Sequence, residues 1–445
     1  MEKFETEKSS KILISLAVPV IIKSIIFEMY NLVDTFFVGR YVGNAAIAAL
    51  MVVFPVQRLF FAINALIGQG ASSLFSRYMG AERKDKAVTV SKTGFYLVFI
   101  IMLPLMFLVN VFSDPILYFL GASENTIGLA NDYLFFVNIS SIFIILQGLI
   151  NYILLSMGDA KTSIRSTVFG ALTNVVLDYI LVIQVGIGVK GAAIATMVSQ
   201  IVGFLYSLIV YLKNRYKVEV NKKKIAKYFI PIIGIGLSAF IIEVEDAISI
   251  SVLNNILEGI MGDRGIVILG LVTKIYMFLF IAVLGVASAM LPIAAYYMGA
   301  RQGEKLKELI KNTIRFSFIL TLILWAFSMI FAEYSLGMFV KDKSILPEAV
   351  RAFRIVLSIF PIVSFYYASI YYYQAAGRVR SALVLSLARQ LFVMIPVALI
   401  LVNVFHMGEL GVWLSFPISD FAATMVSLHA LKTDIYPEIE EKYID

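Results

Sequence analysis

Twelve stretches of this 445-residue chain are each long and apolar enough to cross a bilayer, and no other feature restricts its fold so tightly. A spanning helix needs ~20 mostly apolar residues, because in hydrocarbon each backbone N–H and C=O must be satisfied within the segment. Measured that way, the spans fall near residues 12–39, 46–76, 92–113, 130–156, 164–186, 189–212, 229–257, 265–295, 311–333, 346–375, 381–403 and 409–431. Hydrophobic residues make up 60% of the chain and charged ones 15%, where a soluble protein carries about 25% charged. A soluble body of this size has too little core to hide so much apolar surface, so lipid must cover part of it. The expected fold class is an all-α membrane protein. The mixed, acidic opening from Met1 to Lys8 is unlike a cleavable signal, so span 1 is expected to be retained.

An even number of spans puts both termini on one side. Arg77, Arg83, Lys84 and Lys86 follow span 2; Lys161 and Arg165 follow span 4; Lys213, Arg215, Lys217 and Lys222 to Lys224 follow span 6. Arg301, Lys305, Lys307 and Lys311 then follow span 8, and Arg378 and Arg380 follow span 10. The opposite loops offer mainly Arg40, Lys190, Arg264, Lys341 and Lys343. The positive-inside rule therefore expects a multi-pass protein of the cytoplasmic membrane with both termini in the cytoplasm. The net charge of +7 is the trace of this topology, and no nucleic-acid partner is expected. The absence of cysteine excludes disulfides, thiolate nucleophiles and Cys-based metal sites. His406 and His429 lie near span ends without metal-ligand spacing and read as structural.

The chain repeats itself. Tyr78-Met79-Gly80-Ala81 recurs 219 residues later as Tyr297-Met298-Gly299-Ala300, and Gly158 recurs as Gly377 at the same offset. With one residue more, Gly188…Gly191 maps to Gly408…Gly411 and Ser199 to Ser419. Both YMGA copies follow the second span of a half on the same side, so the halves form a parallel repeat about an axis along the membrane normal. This predicts two six-helix lobes around a cleft: residues 1–215, a cytoplasmic linker 216–228, and residues 229–445.

Charges inside the hydrocarbon layer are costly, so each is a functional candidate. Asp34 and Asp178 are the clearest in the first half. Asn174 shares a helix face with Asp178 at i, i+4, and Thr196 sits at a similar depth in the next span. Two carboxylates with amide and hydroxyl oxygens suit a proton or sodium ion; the bland reading is that each carboxylate only bonds a neighbouring helix. Lys23 and Glu28 in span 1 either pair locally or line the cleft. Glu243, Glu245 and Asp246 in span 7 cannot all face lipid, and cleft-facing acids would favour cationic substrates, with Lys274 as a neutralising partner. Tyr366, Tyr367, Tyr371, Tyr372 and Tyr373 offer cation–π surface, though such runs more often pack or sit at the interface. Pro19 removes a backbone hydrogen bond from span 1 and permits a bend.

The stretch Tyr30-Asn31-Leu32-Val33-Asp34-Thr35-Phe36-Phe37-Val38-Gly39 resembles the first-helix signature of the multidrug and toxic compound extrusion (MATE) transporters. So do the repeated Gly-Ala turns, Asn174…Asp178, Gly191 to Thr196, Gly411-Val412-Trp413 and Phe416 to Asp420. The resemblance covers nearly the whole chain. It implies the MATE fold and export of organic, often cationic compounds by proton or sodium antiport. It is nearest to the DNA-damage-inducible-protein-F-like and MepA-like prokaryotic branch. There the ion-coupling residues match Asp34, Asn174, Asp178, Thr196, Tyr133 of span 4 and Asn151, and the bending proline matches Pro19. Gly148 departs from that pattern, where a second asparagine can stand; residue counting puts Asn151 nearer the cytoplasm than Asp178. A second branch joins a span-7 glutamate, matched by Glu243, to a span-10 aspartate, and span 10 here has no acid.

The expected function is a monomeric secondary exporter of small organic, cationic or amphipathic molecules, with a proton or sodium as coupling ion and no other cofactor. A lipid-linked oligosaccharide flippase of the same superfamily is the nearest alternative. An intramembrane enzyme would need a reaction centre, and neither an HExxH motif nor a triad is present; a channel would need a re-entrant filter segment.

Overall fold

The computed structural model describes residues 2–214, 225–338 and 343–444; the side chains of residues 2, 3, 30–36, 44, 214, 247 and 263 are outside that description. Among the described residues the protein is all-helical, with twelve membrane-length helices. They are α1 (Ser9–Tyr41), α2 (Asn44–Gly80), α3 (Lys84–Val111), α4 (Ile127–Ser156), α5 (Lys161–Asp178, extended by Tyr179–Gln184) and α6 (Gly188–Asn214). The second set comprises α7 (Phe229–Met261), α8 (Asp263–Gly299), α9 (Gly303–Ile330), α10 (Leu346–Val356 and Val363–Ala376), α11 (Val379–Leu387, Ala388–Met394 and Ile395–Asn403) and α12 (Glu409–Ala430).

The repeat is reproduced in the backbone of the turns. After α2, Glu82 takes a positive φ of 58° and Arg83 N–H donates to the Tyr78 carbonyl at 2.8 Å. After α8, Arg301 takes 55° and Gln302 N–H donates to the Tyr297 carbonyl at 2.9 Å. Gly158 and Gly377 both sit in the left-handed region, as do Gly188 and Gly408. The same turn geometry thus recurs at corresponding positions of each half. Lys86 over Tyr78 and Lys305 over Tyr297 repeat even a surface contact, at 5.7 and 5.9 Å.

Two differences from the sequence reading concern helix continuity. The expected continuous span 346–375 is broken between Val356 and Val363, where Pro361 cannot donate to the helical ladder. In the gap, Trp325 Nε1–H donates to the Leu357 carbonyl at 2.6 Å. Both α5 and α11 pass through a π-helical segment, Tyr179–Gln184 and Ala388–Met394, which hydropathy does not reveal. α1 continues as a helix through Pro19.

The chain forms two compact units, residues 1–5 with 18–240 and residues 6–17 with 241–445. The boundary runs through α7 rather than through residues 216–228, most of which are outside the described residues. In the first unit, α4 is the most enclosed helix, packed on α2, α3 and α6. Ser72 and Ser156 bond at 2.7 Å between α2 and α4. The start of α7 packs on α2 through two glycines: a Cβ on Gly236 would lie 1.8 Å from the Leu66 carbonyl oxygen, and one on Gly70 2.1 Å from that of Ile232. The outward faces are apolar, with Phe99, Ile100, Leu103 and Phe107 of α3 exposed in helical register, as expected of a lipid-facing helix.

In the second unit, the α10 tyrosines are buried rather than interfacial. Tyr373 and Tyr372 donate to Asp434 (2.8 Å) and Glu438 (3.1 Å) of the C-terminal segment Leu431–Ile444. Arg378 bonds the same two carboxylates at 2.6 and 3.1 Å. The hydrogen bond that Arg378 donates to Asp434, then the one to Glu438, holds the guanidinium charged more firmly still, against partial desolvation.

Candidate functional site

Small residues set the register of the antiparallel pair α5 and α6. A Cβ on Gly170 would stand 3.2 Å from the backbone oxygen of Ser199, and one on Gly191 would stand 3.1 Å from the Leu181 carbonyl carbon. These crossings bring Thr196 level with Asn174, with Asp178 one turn, about 6 Å, nearer the α5–α6 connection. Asp178 and Asn174 are both 0% exposed and Thr196 is 5% exposed. Neither amide atom of Asn174, nor the Thr196 hydroxyl, has a hydrogen-bond partner among the described residues. Buried polar atoms are paired in the large majority of cases, so this cluster holds oxygen and nitrogen atoms that an ion or water would satisfy. Asp178 itself lies where α-helical bonding gives way to the π segment.

The other first-half candidates do not all join this cluster. The Asp34 side chain is outside the described residues. Asn151 belongs to a second polar group: its Nδ2 donates to Ser166 at 3.4 Å and its Oδ1 accepts from Ser207 at 3.0 Å. Ser166 precedes Asn174 by eight residues, about 12 Å of helix. Tyr133 is buried on α4, eighteen residues from Asn151; some 27 Å of helix rise separates them, so no single ion touches both. Lys23, Glu28 and Pro19 are half-buried on α1. The departure at Gly148 has a steric origin: a Cβ there would meet the Asn64 amide at 2.0 to 2.5 Å. Asn64 of α2 therefore fills the space that an α4 side chain would need.

The second unit holds a different polar centre. Arg389 and Asp420, each 2% exposed, bond at 3.1 Å between α11 and α12. Tyr276 of α8 lies 3.1 Å from the same guanidinium nitrogen. The faces of Phe280, Tyr366 and Tyr367 stand 5.8, 5.9 and 6.0 Å away. Of the α7 acids, Glu245 is buried within Coulombic reach of Arg389. Asp246 accepts from the Gln390 amide, and Glu243 is half-buried. A cation near Glu245 is Arg389, and Lys274 is an exposed residue of α8. Sequence reasoning passed over Arg389 and Gln390, although a charge in the middle of an apolar span was the available signal. Among the described residues no three metal-binding side chains converge.

Twelve spanning helices in two repeated sets, with polar centres buried inside the spans, define a multi-pass membrane transporter. The chain belongs to the MatE family, whose family model matches residues 19–180 and 246–400. It is 25% identical over 429 residues to the multidrug export protein MepA of Staphylococcus aureus, covering 96% of this chain and 94% of that one. An FAD transporter of Shewanella oneidensis is also 25% identical, over 92% of this chain and 91% of the relative. Among solved structures, MATE in a bent conformation superposes with a TM-score of 0.92 at 25% identity, covering 100% and 99% of the two chains. A transporter of the MOP superfamily from Pyrococcus furiosus, described as having a binding pocket of reversed polarity, matches equally well over 98% of each chain.

Proposed function

We propose that this chain is a secondary active multidrug exporter that moves small organic, cationic or amphipathic compounds out across the cytoplasmic membrane against protons or sodium. It works by alternating access, as a monomer with both termini in the cytoplasm. The observation that carries the reading is the first-unit cluster. A carboxylate buried on a spanning helix, one turn from an amide and near the level of a hydroxyl that have no partner among the described residues, is a site that a proton or a sodium ion stabilises. Asp34 is the second carboxylate of the proposed site by its sequence position. Ion binding couples to export only where ion and substrate favour different states of the transporter. Multidrug export by the MepA relative supports the substrate class. The flippase alternative is less favoured, because the buried Arg389 is engaged by Asp420 and lies near Glu245, leaving it poorly placed to hold a pyrophosphate.

The test is efflux of a cationic dye from proteoliposomes under separate proton and sodium gradients. One gradient should drive efflux by the natural protein, and Asp34→Asn and Asp178→Asn should each reduce it at least tenfold. Full gradient-driven efflux in both variants would remove the first-unit site from the mechanism.

A further inference from the structure

Arg389 lies ten residues into α11 and Asp420 eleven into α12. These are about 15 and 16 Å of helix rise, near the middle of a ~30 Å hydrocarbon layer. A guanidinium stays protonated in proteins, so the second unit carries a permanent charge at that depth. Its surroundings are those that hold a free cation: the Asp420 carboxylate and Tyr276 hydroxyl, each at 3.1 Å, and three aromatic faces within 6.0 Å. Nearby Glu245, 1% exposed, has a carboxylate oxygen, Oε2, with no hydrogen bond among the described residues. One carboxylate thus faces one guanidinium, and the centre has the chemistry of a cation site whose cation is part of the chain.

The repeat sharpens the point. Its offsets of 219 and 220 carry Arg389 back onto Gly170 or Phe169, and the offset of 220 carries Asp420 onto Gln200. They carry Asn174, Asp178 and Thr196 forward onto Val393 or Met394, Val397 or Ala398, and Phe416. No charged residue stands at the counterpart of the guanidinium in the other unit, where Gly170 lets α5 approach the Ser199 backbone. The two units have polar centres of different kinds at non-equivalent positions.

We propose that Arg389 is a tethered cation that fills the second unit's own monovalent-cation site, so that this unit binds no exchangeable ion and the first unit alone sets the coupling stoichiometry. The stoichiometric part rests on the antiport reading; the caged cation does not.

Chemical rescue tests it. Full-length Arg389→Ala protein in detergent is titrated with low-millimolar guanidinium chloride or sodium chloride, with N-methylglucamine chloride holding ionic strength constant. The variant should melt lower than the natural protein and recover saturably with guanidinium, by about 5–11 °C at a hundredfold excess over the dissociation constant if the second unit unfolds as one body. The natural protein and Arg389→Lys, which keep a tethered charge, should show no such recovery. Adding Asp420→Asn to Arg389→Ala should abolish it. A folded Arg389→Ala that is indifferent to guanidinium and sodium overturns the proposal. If Arg389→Ala does not fold, Asp420→Asn alone decides. It should leave any sodium response of the natural protein unaltered, and a lost response would mean that the second unit holds an exchangeable ion. Should Asp178→Asn retain full efflux, the first-unit reading falls while guanidinium rescue still reports on the second unit by itself.

Discussion

Replacing Gly236 by alanine tests how the first turns of α7 are held. The added Cβ would lie 1.8 Å from the Leu66 carbonyl oxygen, 2.6 Å from its carbon and 3.0 Å from its Cα. These are backbone atoms inside α2, so no rotamer change relieves the overlap. Ordinary contact needs about 3.4 Å, and the two helices must separate by roughly 1.5 Å locally. Separation would also loosen the reciprocal approach of Gly70 to the Ile232 carbonyl, where a Cβ would stand at 2.1 Å. Overpacking costs about 1–3 kcal/mol, and an overlap with rigid backbone belongs at the upper end, about 3 kcal/mol. If the first unit unfolds as one body, that lowers the melting temperature by about 6–12 °C. The control is Gly270→Ala, which lies in α8, has nothing within 4 Å of its added Cβ and has no positive φ. It should be neutral or stabilising by up to about 1 kcal/mol, through helix propensity. Both proteins are melted in one detergent at one scan rate, since unfolding of such chains is often irreversible. A Gly236→Ala melting temperature within a degree of Gly270→Ala would refute the close-packed α2–α7 contact.

Two further outcomes follow from the geometry. Arg378→Gln removes hydrogen bonds from Asp434 and Glu438 while leaving those from Tyr373 and Tyr372. The site is partly solvated, so about 1 kcal/mol is at stake, and amide exchange in Leu431–Ile444 should quicken about fivefold; unchanged exchange would mean that Arg378 does not hold the segment. Gly148→Asn should destabilise the first unit by about 1–3 kcal/mol, because its side chain meets the Asn64 amide. Adding Asn64→Gly should restore most of that loss, and a double variant no better than the single would show that the two positions do not share one space.

How much of this was legible in the sequence depends on whether a feature is local. The spans are local, since the bilayer imposes its length on each helix separately, and there are twelve of them among the described residues. The repeated turns are local too: the YMGA copies end their helices with the same hydrogen bond, from Arg83 to Tyr78 and from Gln302 to Tyr297. The π segments left no mark, because a shift from i→i+4 to i→i+5 bonding changes neither hydropathy nor length appreciably. The placement of the early turns of α7 in the first unit was equally hidden; it depends on Gly70 and Gly236 meeting across 166 residues of chain.

The polar centres divide along the same line. Asn174 and Asp178 could be paired in advance because they lie four apart on one helix, and Thr196 joined them because a short connection fixes the depth of α6 relative to α5. The second-unit centre draws Tyr276, Tyr366, Arg389 and Asp420 from four helices, and no spacing relates them. Tyrosines that read as packing or as a cation-binding surface therefore turn out to do both at once. Tyr366 and Tyr367 are buried, and the charge they face belongs to Arg389. Composition alone could not separate those readings, because a buried aromatic cage and an ordinary aromatic core differ only in whether a cation stands inside. Here that depends on one arginine in the middle of an apolar span. On the proposed export of cations, the same residue bears on substrate selection, since aromatic faces already turned toward a fixed guanidinium are less available to a cationic substrate. On that proposal, recognition of cations falls more heavily on acids and rings outside this centre, with Glu28 and Glu243 as the first residues to test.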